Sequence, residues 1–200
     1  MPNDDLAWLQ EKLECPERGP DGKLYFMLKQ KPEVLSVEAM EGAPNQTVRV
    51  KDIKSYASRK IVQSMQEGDE VLLYQTVKPN SKEQPGLTGL CCVASAPYPD
   101  PTDGKWLAFD LRLEEPFDSE DGAGLHERRS FKGHSSGGAV PCYALLRYAN
   151  ARPWRITLNN MKKYEKAELR GATLFSNQML QVHWLTPGQF DFLLEIPDEE

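Results

Sequence analysis

Apolar residues along this chain come in short runs broken by Pro, Gly and charge, with no long helical stripe. The runs LYFMLK (24–29), EVLLYQT (70–76), LTGLCCVAS (87–95) and WLAFDLRL (106–113) have the aromatic and alternating character of strands. MLQVHWL (179–185) reads the same way, RPWRITL reads as a strand edge, and PCYALLRY is a further strand candidate. Helical periods are brief. Residues 55–65 put Ile61, Val62 and Met65 on one side, with Gly68 as a stop. NNMKKYEKAELRG aligns Met161 and Tyr164 with the preceding Leu158, and Ser36 caps a helical turn in QKPEVLSVEAMEG. The last helix has the clearest start: Thr186 as cap, Pro187 at the first helical position and Gln189 completing a capping box. Its apolar face is Phe190, Leu193 and Leu194. Five or six strands with short helices, lacking regular βα alternation, predict an α+β fold: a small mixed β-barrel with peripheral helices.

Residues 1–22 read as an N-terminal arm with a short helix around 6–13, and GPDG punctuates the start of a single domain spanning 23–196. APYPDPTDGK is a proline-stiffened loop, because each proline fixes its own φ and restricts its predecessor. Residues 114–142 run acidic, then basic, then Gly/Ser-rich, too polar to offset their ordering entropy, and are expected to form a flexible insert.

The chain has 200 residues, 40% of them hydrophobic and 27% charged, which suits one domain able to bury a core without metal or disulfides. A net charge of −6 argues against non-specific coating of nucleic acid. Two local segments are basic all the same. Arg49, Lys51, Lys54, Arg59 and Lys60 outnumber Asp52, and the 147–170 segment is rich in Lys and Arg, so a shared basic face is expected. Cys15, Cys91, Cys92 and Cys142 form no CxxC, and adjacent Cys91 and Cys92 point to opposite faces of their strand. They read as reduced thiols of an intracellular protein. The first residues lack the basic and apolar regions of a signal peptide, and no apolar run has membrane-spanning length.

His126, His134 and His183 are scattered, so no metal site is expected, and no phosphate-cradling glycine motif or nucleophile elbow occurs. No cofactor is implied. The carboxylates at 114–121 read as a solvated charged loop. The remaining candidates sit at strand ends and on loops: Lys29, Ser55, Tyr56, Arg59, Tyr74, Gln75, Thr76, Tyr98, His183 and Trp184. Flat rings beside amides and hydroxyls are what a pocket needs to stack a nucleobase and read its edge. Each has a plainer role open to it. Tyr74 on a strand also suits a core, Lys29 also suits solvent, and of His183 and Trp184 at most one faces inward. Arg59 near a helix start sits against the dipole preference for cations at the other end, which raises its interest.

The order of short motifs resembles the EVE domain family of the PUA-like superfamily, over roughly 24–113 and 152–194. LYFMLKQKPE keeps Lys29 and Pro32 of the family's opening strand. SYASRK keeps Tyr56 and Arg59 of a helix start, and a Met-x-x-Gly-Asp turn is intact at Met65 to Asp69. PGLTGLCCV and YPDPT follow in order, and Gln181 to Trp184 stand before the Thr-Pro helix start. The chain departs from the pattern at Val50 to Asp52, where the family has Trp-Asp-Gly, at Ser55 for Asn, and at Gln75–Thr76 for His-Ser. The resemblance implies a pseudo-barrel that binds a modified base, chiefly a modified cytosine such as 5-hydroxymethylcytosine in DNA. It implies a nuclear or otherwise intracellular monomer without catalytic activity. The ten candidates above would then contact nucleic acid, with Tyr56, Gln75, Thr76 and His183 or Trp184 converging on one cavity. Two alternatives share the architecture: a reader of modified RNA, and an ASCH-type amidohydrolase acting on a modified nucleoside through Lys29 with Thr76 or Tyr56.

Overall fold

The computed structural model describes residues 15–77, 85–117, 156–177 and 179–196. The strands are β1 (Tyr25–Gln30), β2 (Thr47–Val50), β3 (Glu70–Gln75), β4 (Gly86–Val93), β5 (Tyr98–Pro99), β6 (Leu107–Pro116), β7 (Ile156–Thr157) and β8 (Val182–Leu185). The helices are α1 (Val37–Glu41), α2 (Tyr56–Val62), α3 (Leu158–Lys163), α4 (Thr173–Ser176) and α5 (Pro187–Glu195).

The strands form one sheet in the order β2-β6-β4-β3-β1-β8, with β5 on β6 and β7 on β4. β1 and β3 run parallel, and the other pairs are antiparallel. This corrects the expected closed barrel of five or six strands. Among the described residues the sheet has eight strands and is open, since β2 and β8 end the path and do not pair with each other. β2 and β5 are four and two residues long, too short for a period-2 pattern to stand out, and β7 falls within the expected strand edge RPWRITL.

One face of the sheet feeds a single apolar cluster. Phe26 and Leu28, Val71 and Leu73, Cys91 and Val93, Phe109 and Leu111, and Val182 and Trp184 alternate into it, and α1 and α2 cover it with Met40, Ile61 and Val62. The other face carries Tyr25, Met27, Leu72, Tyr74, Leu87, Leu90 and Leu185 against Met161 of α3 and Phe190 and Leu193 of α5. β1, β3 and β4 are therefore buried on both faces, which is why they read as near-continuous apolar runs. Cys91 is in the first cluster, while the Cys92 thiol meets Glu114 Oε1 at 2.9 Å.

Local chemistry sets the ends. The Thr186 capping box forms in both directions, and Ser36 and Ser55 cap α1 and α2. α2 stops at Val62, before Gly68, which has φ +91° in the turn that leads to Asp69. The helix expected through Arg170 ends at Lys163 and continues as turns to Gly171 at φ +81°. Two boundaries also shift. Glu114, Glu115 and Pro116 extend β6, and Phe117 is buried against the second cluster, so the insert does not begin at 114. At the other end, Arg18 reaches Asp69 with an Nη1–Oδ1 distance of 2.6 Å and ties the close of the N-terminal arm to the fold. The helix expected at 6–13, the PCYALLRY strand, the 118–142 insert, His126, His134, Cys142 and the Arg147 to Arg155 stretch lie outside the described residues.

Candidate nucleic-acid interface

Three segments meet at the C-terminal end of β1. The Lys29 N–H donates to the Gln181 carbonyl at 2.7 Å, and the Gln181 N–H donates to Ser58 Oγ at 3.1 Å. The Gln181 side-chain amide donates to the Asp52 carbonyl at 3.5 Å. Asp52 holds φ +64°, a left-handed conformation that Asp tolerates better than most side chains. The family resemblance puts Gly at this position, the residue that takes positive φ at least steric cost, and in this chain Asp52 takes it. α2 is thereby held over the first cluster at the ends of β1 and β8.

At this end lie two buried donors. Gln30 continues the stripe of Phe26 and Leu28 on the face covered by α2, and its Nε2 is buried with no hydrogen-bond partner among the described residues. Arg59, one residue from Ser58, has its Nε in the same condition. Beside Gln30 on β3, Gln75 is buried and donates from Nε2 to the Leu35 carbonyl at 3.3 Å. Thr76 Oγ1 reaches the Gln30 carbonyl at 3.4 Å. Unpaired buried donors are costly, and a ligand that brings acceptors would relieve them.

Outside this end, Tyr56 is 65% exposed and leans on Trp106, with ring centroids 5.3 Å apart. Lys105 Nζ sits 5.4 Å from the Tyr56 centroid and 5.2 Å from that of Trp106. The loop carrying Lys105 and Trp106 is held by the YPDPT stretch. Asp100 Oδ1 accepts from the Thr102 N–H at 2.8 Å and its hydroxyl at 2.7 Å, and the Asp100 N–H donates to the Trp106 carbonyl at 2.9 Å. The two Thr102 bonds hold the Asp100 carboxyl below its usual range, with the Lys51 charge adding to the effect. Next along the surface, Arg49 Nε donates to the Tyr98 hydroxyl, which donates to Asp110 Oδ1, each at 2.8 Å.

The other expected residues are placed differently. Trp184 packs in the first cluster with its Nε1 donating to Ser64 Oγ at 3.2 Å, at the far end of α2 from Tyr56. His183 points to the opposite face, fully buried, with Nδ1 3.0 Å from the Thr173 hydroxyl. Neither offers a stacking surface, because strand alternation gives one to each core. Tyr74 belongs to the second cluster. Lys29 lies on that same face, half-buried, and burial lowers its pKa. Ser55 is committed to capping, its Oγ accepting from the Ser58 N–H at 3.3 Å. The expected convergence of Tyr56, Gln75, Thr76 and His183 or Trp184 therefore divides: Tyr56 lies against Trp106, Gln75 and Thr76 at the end of β1, Trp184 in the first cluster and His183 on the opposite face.

The single basic face also divides. Val50, Ile61 and Val62 anchor the 49–60 segment on one face of the sheet, whereas Met161 and Leu169 anchor the described part of the second basic segment on the other. Gln30, Lys51, Lys105 and Trp106 were not among the candidates. Gln30 is the next position of the β1 alternation, the YPDPT stretch marks the loop that presents Lys105 and Trp106, and Lys51 stands in the basic 49–60 segment. Among the described residues no group of three or more His, Cys, Asp or Glu could hold a metal, and no helix is long and apolar enough to cross a membrane.

Comparison with known proteins finds similarity to one domain family. The sequence model of the EVE domain matches residues 24–120. Thymocyte nuclear protein 1 of Gallus gallus is 26% identical over 213 residues, covering 96% of this chain and 77% of the relative. The Homo sapiens protein of that name is 25% identical over 193 residues, with 88% and 75% covered. The structure of human THYN1 protein in complex with DNA containing 5-methylcytosine superposes with a TM-score of 0.63 at 20% identity, covering 89% of this chain and 99% of that one. A protein from Leishmania major gives a TM-score of 0.60 at 18% identity, covering 88% and 96%. Residues 24–120 thus match the EVE domain family, and the similarity to these relatives extends over most of the chain.

Proposed function

We propose that this protein is a non-enzymatic, nuclear reader of a modified cytosine in DNA, with the base held at the C-terminal end of β1 beneath α2. The observation that carries the reading is the pair of buried, unpartnered donors, Gln30 Nε2 and Arg59 Nε. The pairing edge of cytosine presents two neighbouring acceptors, the ring nitrogen and the carbonyl oxygen, which suit two N–H donors. Gln75 and Thr76 flank Gln30 and complete the polar wall. The human relative crystallised with DNA containing 5-methylcytosine supports the same ligand class, and the name of the relatives supports the nuclear location.

The test is Gln30→Leu. The free fold loses no hydrogen bond there, so its melting temperature should hold or rise slightly. The complex loses one buried bond, so affinity for an oligonucleotide carrying one 5-methylcytosine or 5-hydroxymethylcytosine should fall about 5- to 100-fold. A folded variant that binds like wild type overturns the reading, and tighter binding to matched modified RNA would reassign the ligand to RNA.

A further inference from the structure

The Tyr56–Lys105–Trp106 group lies outside the proposed base pocket, and nothing in the pocket reading uses it. The Tyr56 ring is exposed at the first residue of α2, outside the face that Ser58, Ile61 and Val62 bury. Tyr56 has one side on Trp106, and Lys105 is positioned over both rings. The cations continue away from it. Lys51 is exposed and acts on the Asp100 carboxyl, two residues along from Tyr98, whose hydroxyl meets Arg49. The acids nearby are already engaged. Asp52 pairs with Lys54 at 3.3 Å, Asp100 is buried on Thr102, Asp103 Oδ1 accepts the Lys105 N–H at 3.2 Å, and Asp110 accepts from Tyr98. Lys51 and Lys105 remain as exposed positive charge beside an exposed aromatic face.

Exposed rings interleaved with cations match a single nucleic-acid strand, whose bases stack on the rings while its phosphates meet the cations. We infer that Tyr56, Lys105 and Lys51 form a track for the nucleotides flanking the recognised base, with a neighbouring base stacked on Tyr56 and phosphates against the two lysines. The inference rests on the pocket reading for its placement. It makes the affinity depend on the strand as well as on the modified base.

The experiment measures binding of fluorescently labelled single-stranded DNA of about nine nucleotides, with one central 5-methylcytosine or none. Wild type is compared with Lys105→Gln, Lys51→Gln and Tyr56→Ser. Each lysine variant should weaken both oligonucleotides by the same factor, roughly 2- to 5-fold, and reduce the log–log salt slope by about 0.7. Tyr56→Ser should weaken both by about 5-fold or more. The preference for the modified oligonucleotide should stay as in wild type for the lysine variants. The two exposed lysine changes keep the test valid if Tyr56→Ser disturbs the fold. Preference without any effect of the three variants overturns the track and leaves the pocket standing. Loss in the variants without any preference in wild type supports the track and overturns the pocket. Failure of wild type to bind either oligonucleotide overturns both.

Discussion

The His183 imidazole is fully buried, its Nδ1 meets the Thr173 hydroxyl, and its Nε2 has no partner among the described residues. Burial, with the Lys29 charge adding to it, pushes the ring down to about 4, so it is neutral in the folded protein at pH 7. The unfolded chain binds this proton near 6.5. As pH falls from about 6.5 to 4, the unfolded state therefore takes up the proton first and stability declines, by about 3 kcal/mol for this one group. Above pH 6.5 the group contributes no slope. Denaturant titrations from pH 7.5 to 4 on wild type and His183→Gln check this. The variant should have the flatter profile, and equal profiles would assign the acid sensitivity elsewhere. His183 is a burial problem for the fold, in a strand position whose sequence looked like a ligand contact.

At the scale of elements, the connection from β2 into α2 shows how a local conformation orients a surface. Asp52 at φ +64° aims its carbonyl at the Gln181 amide and hands the chain to Ile53, which is buried in the first cluster. Ser55 then caps α2, which leaves Tyr56 outside and Ser58, Ile61 and Val62 inside. A β-branched residue at Asp52 suffers the full left-handed penalty, so Asp52→Val should destabilise by about 1–2 kcal/mol. Asp52→Gly should stay within about 0.5 kcal/mol of wild type, because relief of the conformation is offset by a freer unfolded chain. Chemical denaturation of the two variants decides this, and a Val variant as stable as the Gly one would contradict it. The caps at Ser36, Ser55 and Thr186 were readable as sequence because each is a one-turn rule linking neighbours. The short strands β2 and β5 were not, since pairing to β6 defines them, and their own composition does not.

Over the whole molecule, the open sheet depends on ties between distant segments. Arg18, outside the stretch matched by the family, meets Asp69, whose carboxylate is 1% exposed and also accepts the Leu24 and Gln66 N–H groups. Removing the cation leaves a buried carboxylate with fewer partners. Arg18→Ala should therefore cost about 2–3 kcal/mol and lower Tm by roughly 5–10 °C, whereas an unchanged melt would show the tie to be a surface contact of little weight. By itself the sequence determined the main strands, the helix caps, the glycine turns and the family resemblance, because these follow from alternation, local hydrogen bonding and motif order. Tertiary structure alone decided which face each residue serves. Trp184 and His183 are neighbours in sequence yet belong to two different cores, Gln30 is buried without an acceptor, and Tyr56 is set against Lys105 and Trp106 from a remote loop. Those outcomes depend on how strands pair and which helix covers which face, and the proposed base-binding role rests on residues that only that packing brings to one end of the sheet.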